Sequence, residues 1–379
     1  AAASSHCYHQ PMNCRTTLVD VAARANCSKS TASLSLRNDP RIPETTRQRV
    51  QACAKELNYR PDPALAFIAA RRWQSRTSPS GSVVAFITTN HPHGIFLDAM
   101  ALKGARDQAE EFGYRLEHFK GEEYRDPAHM ARVIQHRGIR GIIMGKLMSE
   151  DFLKRFPWSE FCGVACDTGF YKPPLHMVMP DHSHAVKRAF NEATHRGYRR
   201  IGLVLFNEPN AIDDFDKVSA FLYCGSFLPS ALPPIPVARL EPGDKAALDR
   251  WFREHQPDCV LGLNSFVAWS LRQTGVRIPQ RVGFVALMST LDEDPESLRY
   301  NAEMTTLDHC PKLLGRTALE QLDILLRTNH RGAPAQPVTM MVEASWSEAA
   351  SLPWRSDENR TNQDESFPDG KLAVEIAGR

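Results

Sequence analysis

The chain has 379 residues, 42% hydrophobic and 24% charged, with a formal net charge of +2 at pH 7. This is the composition of a soluble globular protein, and the length accommodates two or three cored units. No run of about 18 apolar residues and no charged-then-apolar leader occurs, which excludes a membrane span and makes the expected location cytoplasmic.

The near-neutral charge conceals a division. Between Arg15 and Arg76 twelve basic side chains face five acidic ones, a surplus of seven, while the remainder of the chain carries a net −5. A basic head on an acidic body is the footprint of a segment that meets polyphosphate. Nine cysteines, an odd number without a framework, suit free thiols in a reducing compartment. Cys162 and Cys166 lack a matching pair, and His6, Cys7, His9 and Cys14 have no second ligand group at finger-like spacing, so no metal and no cofactor is expected.

The first eleven residues precede Met12, a plausible initiation position, and residues 1–15 are expected to be a disordered extension. Thr17-Leu18-Val19-Asp20 has the form of a capping box and opens a helix from Leu18 to about Ala25. Asn26-Cys27 breaks it, Ser28 caps a second helix, and Asn38-Asp39-Pro40 ends that one. A third helix is expected from about Glu44 to Leu57, with Val50, Ala54 and Leu57 on one face. Two short helices joined by a tight turn and followed by a longer support form the helix-turn-helix plan, whose second helix lies in a major groove.

The second helix, "SKSTASLSLRN", is rich in hydroxyls. At 100° per residue, Ala32, Ser35 and Leu36 share a packing face, while Lys29, Ser30, Ser33, Leu34 and Arg37 point away from it. Small hydroxyls let such a helix sit deep in a groove and bond phosphate oxygens or base edges.

"TLVDVAARANCSKSTASLSL", continued by "TRQRVQACAKELNYRPDPALAFIA", closely resembles the headpiece of the lactose/galactose/purine repressor (LacI/GalR) family over about 55 ungapped residues. The resemblance implies that Lys29 and Ser30 begin the base-reading surface and that Thr31 and Ser33 contact phosphates or bases. Thr17, Ser28 and Asn38 join that set, and Tyr59 and Arg60 lead into a hinge. The hinge "PDPALAFIAARR" folds into a short helix on DNA in this family and wedges an apolar side chain into the minor groove. That wedge falls on Ile68, with Leu65 on the same side. Leu65 replaces a small Ala, which implies either hinge helices set further apart or a wedge shared with Ile68. Leu34 replaces an Arg or His and is expected to touch a thymine methyl, and Arg37 replaces Asn and adds a phosphate contact.

After the linker at 77–82 the runs "VVAFITT", "YRLEHF", "GIIMG", "FCGVACD", "RIGLVLF", "PVARL", "CVLGLN" and "VGFVALM" alternate with helix-like segments. Such alternation predicts an α/β core of parallel sheets covered by helices on both faces. "EFGYRLE" and "HRGYRRI" repeat a helix-Gly-strand junction 84 residues apart, as two similar halves would. "FCGVACDT", "HRGYRRIGLVLF" and "MTTLDHCPKLLGRTALEQL" resemble the family's two-subdomain, periplasmic-binding-protein-like core. That resemblance implies a headpiece at 16–60, a hinge and linker at 61–82, a core at 83–352 and a polar tail at 353–379. The N-subdomain would comprise about 83–166 and 292–327, the C-subdomain about 167–290 and 329–352, with crossings near 166, 291 and 328 and an effector in the cleft.

The same resemblance places effector contacts at Asn90, Phe96, Asp167, Lys217, Asn264, Ser265, Met288 and His309. Lys217 stands where an Arg is usual, while Ser265 and Met288 stand where ligand-binding Asp residues are usual. A polyol held by bidentate carboxylates is hard to bind without them, so a standard monosaccharide is not the expected effector. An aromatic lining from Phe96, Phe215 and Trp269 competes with a plain core role for those residues.

The expected protein is a homodimeric transcription regulator, a repressor in the first instance, bound to double-stranded operator DNA under control of a small molecule, with no membrane partner and no catalytic role. Two other readings stand beside it. In one, the body has lost ligand response and only dimerises. In the other, Asp213, Asp214 and Asp216 form the acidic metal site of an enzyme, against which a helix start favours acids through its dipole alone.

Overall fold

The computed structural model describes residues 16–39, 41–59, 82–89, 95–145, 150–167, 175–207, 213–228, 233–289 and 302–355. The head consists of α1 (Leu18–Arg24), α2 (Lys29–Leu36) and α3 (Glu44–Glu56). Its start is set by a reciprocal box: the Asp20 carboxylate accepts both the Thr17 N–H and the Thr17 hydroxyl at 2.7 Å. These bonds hold the Asp20 carboxyl below its ordinary range. Val21, Ala22, Ala25, Ala32, Val50, Cys53 and Ala54 form one small core, on which Leu18, Cys27, Leu36, Leu57 and Tyr59 pack.

The chain divides into two compact units, the first containing the head, the other residues up to Val178 and Lys312–Met340, the second Met179–Pro311 and the residues from Met341 onward. In the first, the strands β1 (Val83–Thr88), β2 (Arg115–Lys120), β3 (Gly141–Met144), β4 (Cys162–Cys166), β5 (His176–Pro180) and β11 (Thr339–Val342) form a sheet of order β11-β5-β4-β3-β1-β2. Its helices are α4 (Ile95–Phe112), α5 (Pro127–His136), α6 (Glu150–Arg155) and α11 (Pro311–Thr328). α4 and α11 approach closely enough that a Cβ on Gly104 would lie 1.9 Å from the Lys312 carbonyl oxygen, and one on Gly315 1.8 Å from that of Ala101. Only glycine permits that backbone contact.

The second unit holds β6 (Ile201–Phe206), β7 (Ala238–Leu240), β8 (Cys259–Gly262), β9 (Gly283–Ala286), β10 (Thr305–Asp308) and β12 (Ser345–Ser347) in the order β12-β10-β9-β8-β6-β7. α7 (His182–His195), α8 (Asp213–Gly225), α9 (Lys245–His255) and α10 (Ser265–Gln273) flank it. Leu203, Leu205, Leu261 and Val285 join Phe190 of α7 and Phe221 of α8, whereas Val204, Val260, Phe284 and Ala286 join Trp251 of α9 and Leu271 of α10. A sheet buried on both faces requires apolar residues at successive positions, which is why these strands read as continuous apolar runs.

Each of the eight expected runs contains a strand, but β5, β10, β11 and β12 were not among them. β12 pairs antiparallel with β10, so the second sheet is not wholly parallel. The chain passes between units after Val178, Pro311 and Met340 rather than near 166, 291 and 328. The reason is that β5 adds to the first sheet beside β4, and β10 adds to the second beside β9. The second unit also extends past 352: the Pro353 carbonyl accepts the Tyr198 hydroxyl at 3.0 Å, and Arg355 bonds the Asp258 carboxylate at 2.6 Å.

Candidate nucleic-acid interface

α2 begins where the Ser28 hydroxyl accepts the Thr31 N–H at 3.0 Å. The Ser28 and Thr31 hydroxyls also bond each other at 2.8 Å, so both are engaged first in capping the helix. Burial along α2 follows the expected angular division. Ala32 and Ser35 are fully buried, Leu36 packs on the head's core, and Lys29, Ser30 and Arg37 are exposed. Ser33 and Leu34 are half-buried, and Leu34 is not part of the core cluster.

The cations of the head fall into two groups. Arg24 pairs with Glu56, Arg47 with Glu44 and Arg41 with Asp39. The Arg41 guanidinium hydrogen-bonds the Asp39 carboxylate and holds its pKa at about 2. Lys29, Arg37, Arg49 and Lys55 have no hydrogen bond or ion pair among the described residues. Those four are free to meet phosphate. Arg49 and Lys55 lie on α3 outside the residues that the sequence motif marks, and their signal was only the overall basic surplus. Tyr59 is half-buried against the core, while Arg60, Leu65 and Ile68 lie outside the described residues.

The core residues separate by unit. Asp167 follows β4 in the first, in left-handed backbone (φ 44°), its N–H donated to the Val178 carbonyl at 2.9 Å. Asn90 lies outside the described residues, as does the side chain of Phe96 in α4. In the second unit Asn264 and Ser265 follow β8, Met288 follows β9 and His309 follows β10, so they line the carboxyl edge of three adjacent strands. Asn264 caps α10, its side-chain oxygen accepting the Phe266 N–H at 3.1 Å. Lys217 of α8 is 3% exposed. His309 is buried, with Nε2 2.9 Å from the Leu287 carbonyl oxygen and its ring 5.0 Å from that of His182.

Of the aromatic candidates, Phe215 on α8 is 75% exposed. Trp269 instead belongs to a ladder not anticipated from the sequence. Phe206 meets Phe266 edge-on at 6.0 Å, Phe266 stacks on Trp269 at 5.2 Å, and the Lys245 ammonium lies 4.5 Å from the Trp269 ring centre. Phe206 ends β6 and Phe266 follows β8, the pair of strands between which the sheet order reverses. Crevices at such reversals are where open α/β sheets bind ligands. Of the acidic trio, Asp214 is buried and paired with Arg239, Asp216 is half-buried one turn into α8, and the side chain of Asp213 lies outside the described residues. Among the described residues no group of three or more His, Cys, Asp or Glu side chains is placed to hold a metal ion.

Residues 17–62 match the model of bacterial regulatory proteins of the lacI family, the stretch that holds the three-helix head. The head is that of a lacI-family protein. The three helices at 18–56 thus have the helix-turn-helix arrangement of the bacterial regulatory proteins that this model describes. It is 25% identical over 353 residues to the HTH-type transcriptional regulator PtxS of Pseudomonas aeruginosa, covering 87% of this chain and 94% of that one. It is 25% identical over 210 residues to the ribose operon repressor of Lactococcus lactis, covering 55% and 60% respectively. The likeness of fold extends over the body: the transcriptional regulator CelR in complex with cellobiose superposes with a TM-score of 0.54 at 18% identity, covering 89% of this chain and all of that one. No described helix is long and apolar enough to cross a membrane.

Proposed function

We propose that the chain acts as a dimeric repressor whose two heads read the half-sites of a pseudo-palindromic operator, and whose core takes a small-molecule effector. The observation that carries this reading is α2: a capped helix with its small buried face on the head's core, and Lys29, Ser30 and Arg37 exposed. Lys29, Ser30, Ser33 and Leu34 are assigned to base edges, Thr17, Ser28, Thr31, Arg37, Asn38, Tyr59 and Arg60 to the backbone, and Leu65 and Ile68 to the minor groove. Residues 61–82 would couple head to core. No catalytic step is assigned, and the cytoplasm is the compartment in which such a protein meets its DNA.

For the effector, Asp167, Lys217, Asn264, Ser265, Met288 and His309 are the assigned contacts, with the Phe206–Phe266–Trp269 ladder added as an apolar wall. Coupling requires that the small molecule prefer one of two states of the protein. Ser265 and Met288 offer no carboxylate, which supports a metabolite other than a standard monosaccharide, and also supports a second reading in which the body only dimerises. Two measurements test the proposal. Selection of duplexes from a random pool by the purified chain should return a pseudo-palindrome, and a selection without enrichment overturns DNA reading by this head. Thermal-shift screening against carbohydrates and metabolites should reveal a ligand that raises the melting temperature and alters affinity for the selected duplex. A screen without any such ligand favours the dimerisation-only body.

A further inference from the structure

The turn that follows the recognition helix is held by side chains of α3. Asn38 occupies left-handed backbone there (φ 54°), and its N–H closes the end of α2 on the Ser35 carbonyl at 3.1 Å. Gln51, thirteen residues away in sequence but adjacent in space, directs its Nε2 to the Asn38 side-chain oxygen at 2.7 Å, with the Ser35 carbonyl at 3.4 Å. The next residue is braced as well: the Asp39 carbonyl accepts from Arg47 at 3.3 Å, and the Asp39 carboxylate takes the Arg41 fork at 2.9 and 2.7 Å.

A primary amide has one accepting and one donating end. With its oxygen taken by Gln51, Asn38 presents its NH2 on the opposite side, where it is exposed and has no partner among the described residues. Its chain neighbour Arg37 is exposed too and has no partner among the described residues. We propose that Gln51 is a positioning residue for DNA binding: it fixes the Asn38 amide so that the NH2 donates to a backbone phosphate oxygen beside the Arg37 contact. Gln51 itself touches no nucleic acid in this arrangement. It acts by sparing DNA binding the cost of orienting a free amide on a turn, an ordering cost that is otherwise met on association.

The proposal rests on the DNA-binding reading of the head. Its test uses the full chain and a duplex selected by that chain from a random pool. Gln51→Met keeps length and helix propensity and removes the donor. It should weaken binding about 3- to 10-fold, the range for one hydrogen bond, while the melting temperature stays unchanged because Gln51 is exposed. In an Asn38→Ala background the same substitution should produce no further loss. Wild-type affinity in Gln51→Met, losses that add in the double variant, or a fall in melting temperature that matches the loss of binding would each overturn it. Failure of the unsubstituted chain to enrich any duplex would instead sink the DNA-binding reading, and the proposal with it.

Discussion

Leu34 and Leu36 are two residues apart on α2 and have opposite surroundings: Leu36 packs on the head's core cluster, and Leu34 remains half-buried outside it. Leu36→Ala should therefore destabilise the head by about 2 kcal/mol, at the low end for core truncation because Leu36 is only partly buried. Leu34→Ala should leave stability within about 0.5 kcal/mol of the parent and shift the selected DNA sequence, with loss of a thymine preference at one position. Parallel melts and duplex selections check both, and an unchanged selected sequence for Leu34→Ala removes it from the base-reading set.

Ser28 serves the helix before it serves any ligand. Ser28→Ala should cost about 1 kcal/mol through loss of the cap to Thr31. Ser28→Asp keeps a capping oxygen and places a carboxylate against phosphate, so it should preserve the melting temperature and weaken DNA binding. Equal DNA affinity in Ser28→Asp and the parent would place Ser28 away from the backbone.

Ser35 is fully buried between α2 and α3, and its hydroxyl has no partner among the described residues. Burying an unmet hydroxyl carries a desolvation cost of about 1–3 kcal/mol. Ser35→Ala should thus raise head stability by about 1 kcal/mol, since the small cavity left offsets part of that gain. A lower melting temperature would mean that the hydroxyl has a partner in solution.

Acid should loosen the turn after α2. The Asp39 pKa is about 2, held down first by the hydrogen bond from Arg41, against 3.8 for the unperturbed group. A carboxylate whose folded pKa is depressed contributes stability that is present above the unfolded pKa and lost as pH falls through the folded one. The head should accordingly lose stability between about pH 4 and pH 2, and Asp39→Asn should flatten that part of the profile. Circular dichroism melts of the two proteins across that window measure the difference.

Gly315 admits no side chain. A methyl there would lie 1.8 Å from the Ala101 carbonyl oxygen, so Gly315→Ala must separate α4 and α11 and should cost several kcal/mol, about 3 or more. Gly113→Ala, in open space but at φ 80°, should cost about 1 kcal/mol through backbone strain alone. Comparable effects for the two would show that α4 and α11 tolerate separation.

The head was legible because its determinants are local. The Thr17–Asp20 box, the Ser28 cap and the Asn38 stop act over three or four residues, and the observed helices end within a residue of the expected positions. The central strands were legible for a related reason: burial on both faces leaves a continuous apolar run. β5 and β12 escaped notice because they carry His176, Ser345 and Ser347 and sit toward a sheet edge, where apolar runs are not required.

The amino-acid order alone determined the basic head, its three helices, the outward set Lys29, Ser30 and Arg37, and the alternation of strands and helices in the body. Tertiary structure decided which cations were spent internally: Arg41 and Arg24 look like Lys29 in sequence, yet each has a carboxylate beside it. It also decided that Gln51 reaches Asn38 across thirteen positions, and that Phe206, Lys245, Phe266 and Trp269 stand in one ladder. The physical reason is range. Caps and amphipathic faces depend on spacing along one helix, whereas these pairings exist only after separate elements have packed and brought their side chains within a few ångströms.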